Sequence, residues 1–287
     1  MSSKFIIILI ALALAFTGCA RNPAPAETSV AAALERTRQG AALLKAGQYD
    51  QAVLEFDRAV SLDANYAIAF NNRGEAYYGK GEYEKALLDF NKAIQLYPSY
   101  ALAYSNRGGT YAQKQDYKKA LADFNKAIRL DPNLSGAYYN RGNYYALKGD
   151  LDKAIADYNK AVELAPNLSE AYYSRGNYYA KRRDLDKAIA DYSKVIELGP
   201  NNVEALTQRG LWYVLKGEFD KAITDFTRLI EINPADAQAY YYRGRAFADT
   251  GNKEKAIIDL ETCIRLDASF AKDAEPVIKG LQSPAGQ

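Results

Sequence analysis

The chain has 287 residues, 48% hydrophobic and 25% charged, with a formal net charge of +2. That balance specifies a folded body and carries no electrostatic footprint for nucleic acid or a strongly acidic ligand. There is no histidine, which removes the usual general base of Ser and Cys hydrolases and the commonest metal ligand. No catalytic residue, metal or cofactor is therefore expected.

Residues 1–4 carry one side-chain cation, Lys4, and residues 5–16 are uninterrupted apolar. A bilayer span needs about 20 residues, so the stretch reads as the core of a secretory signal peptide covering residues 1–18. It runs into Phe16-Thr17-Gly18-Cys19. These four residues resemble a bacterial lipobox, in which the chain is cut before a cysteine diacylglycerylated on sulfur. Thr17 and Gly18 fit the small residues required there, and Phe16 stands where the family has leucine. The other reading is an ordinary signal peptide with Cys19 left as a free thiol. Residues 19–32 then read as the lipidated cysteine and a flexible tether, rich in proline and alanine at 21–26. Two or three acyl chains on Cys19 anchor stably where one does not. The resemblance implies an exported, membrane-anchored lipoprotein. With Ala20 after the cysteine, its place is the outer membrane, facing the periplasm, if the cell has two membranes.

From residue 33 the chain repeats with a period of 34. Glycines keep the register at 40, 74, 108, 142, 176, 210 and 244, and alanines at 52, 86, 120, 154, 188, 222 and 256. A period of this length means stacked helical units, each too small to bury its own apolar face. Seven units follow: 33–66, 67–100, 101–134, 135–168, 169–202, 203–236 and 237–270. One continuous solenoid is expected. In the unit 135–168, Tyr138, Arg141, Gly142 and Tyr145 share a face of a first helix by i, i+3, i+4, i+7 spacing. Gly149-Asp150 breaks it, the glycine as a left-handed C-cap and the aspartate as an N-cap. Ala154, Ile155, Tyr158, Ala161 and Val162 stripe the second helix, and Pro166-Asn167 stops it. Gly142 and Ala154 are small, on this reading, because the two helices cross there. Cys263 replaces the alanine, valine or leucine of the other units and reads as a small core residue.

The pattern resembles the tetratricopeptide repeat, and the match covers residues 33–270. Counting positions from the start of each unit, the family's large residue at position 4 is Phe70, Tyr104, Tyr138, Tyr172 and Tyr240. Its aromatics at position 11 include Tyr77, Tyr111, Tyr145 and Phe247, and at position 24 Phe56, Phe90, Phe124, Tyr158, Tyr192 and Phe226. Its helix-ending prolines are Pro98, Pro132, Pro166, Pro200 and Pro234. The resemblance implies an all-α fold, an α-α solenoid wound as a right-handed superhelix of seven helix-turn-helix units. The end units depart from the pattern, with Arg36 at position 4 of the first and Leu260 at position 24 of the last. Position 7 is arginine in six units (Arg73 to Arg243), and the same six have aspartate at position 23 (Asp89 to Asp259). These pair across helices as a ladder, or the aspartates pair within their own helix with lysines such as Lys92 and Lys126.

Positions 2, 5, 9, 12 and 13 lie opposite the face that meets the second helix. The resemblance implies that this opposite face lines a concave ligand groove. Its candidate contacts are Asn71, Glu75, Tyr78, Tyr139, Asn143, Tyr173, Asn177 and Tyr241. Tyrosine offers rigid area with a hydroxyl, and asparagine can serve a peptide backbone as donor and acceptor. The other reading makes the asparagines common family residues and the tyrosines padding between repeats. No unit has lysine at positions 2 and 5, which disfavours a clamp for acidic C-terminal tails. Residues 271–287 read as a capping segment, a short solvating helix ending in a frayed tail.

The expected function is a non-catalytic scaffold, monomeric or weakly dimeric, holding other envelope proteins or extended peptides. The alternative is a carbohydrate-binding lipoprotein of a polysaccharide export system, where tyrosines would stack sugars; the single tryptophan, Trp212, gives that little support.

Overall fold

The computed structural model describes residues 25–283. The signal peptide, Cys19 and residues 284–287 lie outside the described residues. Fifteen α-helices and no strand occur among those described. They pair in chain order as α1 (Pro25–Lys45) with α2 (Tyr49–Leu62), α3 (Ala67–Gly79) with α4 (Tyr83–Leu96), and α5 (Ala101–Gln113) with α6 (Tyr117–Leu130). Next come α7 (Ser135–Leu147) with α8 (Leu151–Leu164), α9 (Ser169–Lys181) with α10 (Leu185–Leu198), and α11 (Val203–Leu215) with α12 (Phe219–Ile232). The last pair is α13 (Ala237–Asp249) with α14 (Lys253–Leu266), and after a 3-10 turn at Ala268–Phe270 comes α15 (Ala271–Gln282). The helices form two compact units, one reaching Ala165 and the other starting at Pro166. Within each, the second helix of one hairpin packs on the first helix of the next. The fold is all-α, of the α-solenoid class.

Helix α1 begins at Pro25, inside the stretch 19–32 expected to be a flexible tether. Proline suits the first turn of a helix, where its missing N–H has no bond to lose, and the alanine-rich run behind it favours helix. Each hairpin turns at the same position through a residue with positive φ. Glycine supplies it in five hairpins, Gly149 among them, and Gln115 and Arg183 adopt it in the other two. Next in the chain, Asp116, Asp150 and Asp184 accept hydrogen bonds from the N–H three residues on and cap the second helices.

The period-34 glycines are close-approach positions. A Cβ on Gly142 would stand 2.8 Å from the Tyr158 ring, and one on Gly40 2.6 Å from the ring of Phe56. The position-24 ring of the first six hairpins therefore lies directly on the backbone of the first helix, and Leu260 takes that place in the seventh. Phe56, Phe90, Phe124, Tyr158, Tyr192, Phe226 and the alanines of position 20 have no exposed surface. Burying such a ring contributes roughly 1.5–3 kcal/mol, more than the ~1 kcal/mol that a glycine costs inside a helix. Cys263 is also fully buried, and burial pushes its thiol up to about 11, which suits a core residue.

The arginines form the interhelical ladder. Arg141 donates from Nε and Nη2 to both carboxylate oxygens of Asp157 at 2.8 Å. The same fork joins Arg73 to Asp89, Arg107 to Asp123, Arg175 to Asp191, Arg209 to Asp225 and Arg243 to Asp259. Nη1 reaches back to the preceding hairpin, where it finds Asp57 from Arg73, Asn91 from Arg107 and Asn125 from Arg141. In the second unit it finds Ser193 from Arg209 and Thr227 from Arg243. Each guanidinium also lies near aromatic rings of positions 4 or 11, as Arg141 does to Tyr138 at 5.7 Å. The first hairpin has no arginine at position 7, and there Arg36 at position 4 takes over, donating to Glu55 at 3.1 Å. Lysines at the ends of first helices add surface pairs to the preceding hairpin, Lys80 to Asp50 and Lys216 to Asp186. Where the preceding acid is replaced by Lys118, Lys148 lies 4.2 Å over the Tyr117 ring instead.

Helix α15 is not merely solvating. It buries Ala274 and Ile278 against Leu260, with Tyr241, Ile257 and Val277 around them. A terminal hairpin leaves its outer face bare, and this amphipathic helix covers it.

Candidate functional site

The face of the first helices opposite the ladder is the candidate site. The structure places its predicted residues unevenly. Asn71 has no exposed surface, and Glu75, Tyr139 and Asn143 are buried at 7%, 5% and 6% exposure. Tyr78, Tyr173, Asn177 and Tyr241 are half-buried. The expectation of an open tyrosine and asparagine surface is thus corrected for four of the eight. Neighbouring first helices pack side by side in the first unit, α1 on α3, α3 on α5 and α5 on α7, and cover part of this face.

A buried amide ladder marks that packing. Asn106 on α5 donates to Asn71 Oδ1 on α3 at 3.1 Å, and Asn140 on α7 reaches Ser105 Oγ on α5 at 3.5 Å. The recurrence of asparagine at 72, 106 and 140, one period apart, was the signal that could have found it.

The position-9 asparagines serve the core. Asn143 Oδ1 accepts from the Tyr158 hydroxyl at 2.7 Å, and Asn177 Oδ1 accepts from that of Tyr192 at 2.8 Å. Asparagine stands at position 9 in the two units that have tyrosine, rather than phenylalanine or leucine, at position 24. A buried hydroxyl needs a partner, and the sequence carries one wherever the hydroxyl occurs. The position-5 tyrosines lie over the same rings: Tyr139 on Tyr158 at 6.0 Å between centroids, Tyr173 on Tyr192 at 5.8 Å. Tyr241 packs on Phe270 at 5.3 Å and accepts a hydrogen bond from Arg245. Asn143→Leu takes the acceptor from the Tyr158 hydroxyl and is expected to cost about 1–3 kcal/mol. Adding Tyr158→Phe should recover most of that loss, read as the urea midpoint of single and double variants. A double variant no more stable than the single would mean that Asn143 acts elsewhere.

On this face the Nδ2 of Asn143 is withdrawn from solvent without an acceptor among the described residues, and the Oδ1 of Asn106 without a donor. Glu75 makes no hydrogen bond or ion pair, and burial pushes its carboxyl up to about 8. Apolar side chains are left open beside them: Ile68 at position 2 and Leu147 at position 13. Among the described residues no group of His, Cys, Asp or Glu could hold a metal ion, and no helix is long and apolar enough to cross a membrane.

Profiles described as tetratricopeptide repeat match residues 67–100, 101–134, 135–168, 169–202 and 237–270, and one described as TPR repeat matches 40–81 and 210–251. A search of curated proteins finds no match. Among solved structures the chain is similar to YrrB, described as a TPR protein with an unusual peptide-binding site. The two are 29% identical over 65% of this chain and 97% of YrrB, with a TM-score of 0.59. MamA is 27% identical over 60% of this chain and 94% of its own, with a TM-score of 0.53. The C-terminal part of a TPR repeat-containing protein from Cytophaga hutchinsonii shares the fold, at 21% identity, 86% and 100% coverage and a TM-score of 0.62.

Proposed function

The chain belongs to the tetratricopeptide repeat family, and from that premise we propose that it is a non-catalytic scaffold holding extended segments of partner proteins on its first helices. It is tethered through acylated Cys19 to an envelope membrane of a bacterium, where it serves the assembly of an envelope complex. The observation that carries the binding reading is the Asn143 amide, whose Nδ2 is withdrawn from solvent with no acceptor, on the face that also carries the unpaired carboxyl of Glu75. A buried polar group without a partner costs about 1–3 kcal/mol, and a peptide supplies both the acceptor and the donor that would remove that cost. The similarity to YrrB, described as a TPR protein with an unusual peptide-binding site, supports this reading. The anchor rests on the lipobox-like residues 16–19 alone.

The test is an envelope extract passed over the immobilised full chain and over a variant carrying Ile68→Arg and Leu147→Arg, two exposed positions on the proposed face. Proteins retained by the first and lost from the second are the expected result. Equal retention would move the contacts to another face, and retention of polysaccharide alone would replace the scaffold with a sugar receptor. In the cell, Cys19→Ser should abolish palmitate incorporation and release the chain from the membrane pellet; a variant that stays acylated sinks the anchor.

A further inference from the structure

On the ladder side of the second unit, α12, α13 and α14 frame a surface cavity of about 480 Å³. Small-molecule sites span roughly 300–1,000 Å³, so the size suits a small ligand. Ile223 and Thr227 line it from α12, Arg243 and Phe247 from α13, and Lys255 and Ile258 from α14. The Arg243 guanidinium is already committed, to Asp259 in the same wall and to the Thr227 hydroxyl at 3.2 Å. Lys255 is not. Lysine stands at position 19 in six hairpins, and in the other five its ammonium holds the acid three residues earlier, as Lys221 holds Glu218 at 2.6 Å. In the seventh hairpin that acid is replaced by Asn252. The amide keeps the helix cap, accepting from the Lys255 N–H at 3.3 Å, but brings no charge. The Lys255 ammonium therefore has no carboxylate partner among the described residues, and lies over the Phe247 ring at 5.4 Å.

Two further changes set this hairpin apart. Phe247 replaces the tyrosine that the five hairpins before it carry at position 11, and Ile258, 55% exposed, replaces Thr224 of the preceding hairpin. The acids Asp220 and Glu254 are not among the walls. One uncompensated cation thus stands at the edge of apolar walls, which is complementary to a carboxylate carried on an apolar body. We propose that this cavity binds a small organic acid, with its carboxylate on the Lys255 ammonium and its apolar body on Ile223, Phe247 and Ile258. The site does not rest on the peptide-holding reading, since it lies on the ladder side of the hairpins. In the preceding hairpin Glu218 already fills the place of the ligand's carboxylate, which makes Lys221 a control within the same chain.

The probe is 3-phenylpropionate, and the readout is the acetylation rate of individual lysines in the full chain, followed by peptide mass spectrometry. The acid should slow labelling of Lys255 in a saturable way and leave Lys221 unchanged. Its amide, 3-phenylpropanamide, has the same body without the charge and should protect neither. Asn252→Asp supplies the missing carboxylate while keeping the cap, and should weaken the acid about fivefold, the upper end for an exposed ion pair. Ile258→Thr, which removes apolar wall, should weaken it by a similar factor. Both variants install side chains that other hairpins carry at the same positions, and unchanged circular dichroism separates lost binding from lost folding. Absence of protection at Lys255, equal protection of Lys221, equal protection by the amide, or undiminished protection in Asn252→Asp each overturns the site.

Discussion

Arg141→Leu is expected to lower the stability of the chain by about 3–5 kcal/mol, the range for removing one partner of a buried ion pair. Asp157 is only 6% exposed and receives two hydrogen bonds from that guanidinium. Without the arginine the carboxylate stays buried with its charge uncompensated, and the rings of Tyr138 and Tyr145 lose the cation that lies near them. Nη1 also leaves Asn125, so the loss extends to the preceding hairpin. The double variant Arg141→Leu with Asp157→Leu removes the stranded charge and should recover most of the stability, since apolar replacement of a whole buried pair is often neutral. Urea denaturation of the native chain, both single variants and the double variant closes the cycle. A single variant costing under about 1 kcal/mol would put this pair among ordinary surface salt bridges.

The second large effect is on pH dependence. The carboxyl of Glu75 is raised from 4.5 to about 8 in the folded chain. Below pH 4.5 it is protonated in both the folded and unfolded states and costs nothing. Between 4.5 and about 8 the unfolded chain ionises while the folded one does not, so stability falls by about 1.4 kcal/mol for each pH unit crossed. Above that window the loss is complete. Asp89, Asp191 and Asp225 are also raised, by burial and against the pull of their arginines, and act in the same sense near the ordinary aspartate range. There is no histidine, and Cys263 ionises only at about 11. The slope from pH 6 to 8 therefore belongs to Glu75, and Glu75→Gln should flatten it and stabilise the chain at pH 9. A native chain whose urea midpoint is constant from pH 6 to 8 would mean that the carboxyl finds a partner or water.

Most of the fold was legible because a 34-residue period repeats each structural demand several times. The crossing glycines, the position-24 rings and the turn glycines all occupy the roles read for them, and the Arg and Asp of positions 7 and 23 meet as forks. The inner face was legible only in direction. A helical wheel says that Asn71, Glu75 and Tyr139 point away from the second helix. It cannot say that the next first helix lies over them, because that depends on how far one hairpin is displaced on another. The role of Asn143 was written in the sequence, in its coincidence with Tyr158, but a lone asparagine on an apparently open face suggests a ligand before it suggests a core hydroxyl. Arg36 was read as a degenerate end residue. It turns out to hold Glu55 from position 4, a substitution visible only once both side chains have directions.

The inward arm of the ladder changes character along the chain. Nη1 meets a carboxylate at Asp57, amides at Asn91 and Asn125, and hydroxyls at Ser193 and Thr227, with distances lengthening from 2.6 to 3.2 Å. An ionised acceptor binds a guanidinium more strongly than a neutral one. In a stack where each hairpin senses only its neighbours, such bonds set the coupling between adjacent sites of a one-dimensional array. Within each unit the coupling then differs: the charged bond to Asp57 ties its two hairpins more firmly than the neutral bonds to Ser193 and Thr227 tie theirs, a difference that the near-identical repeats do not announce.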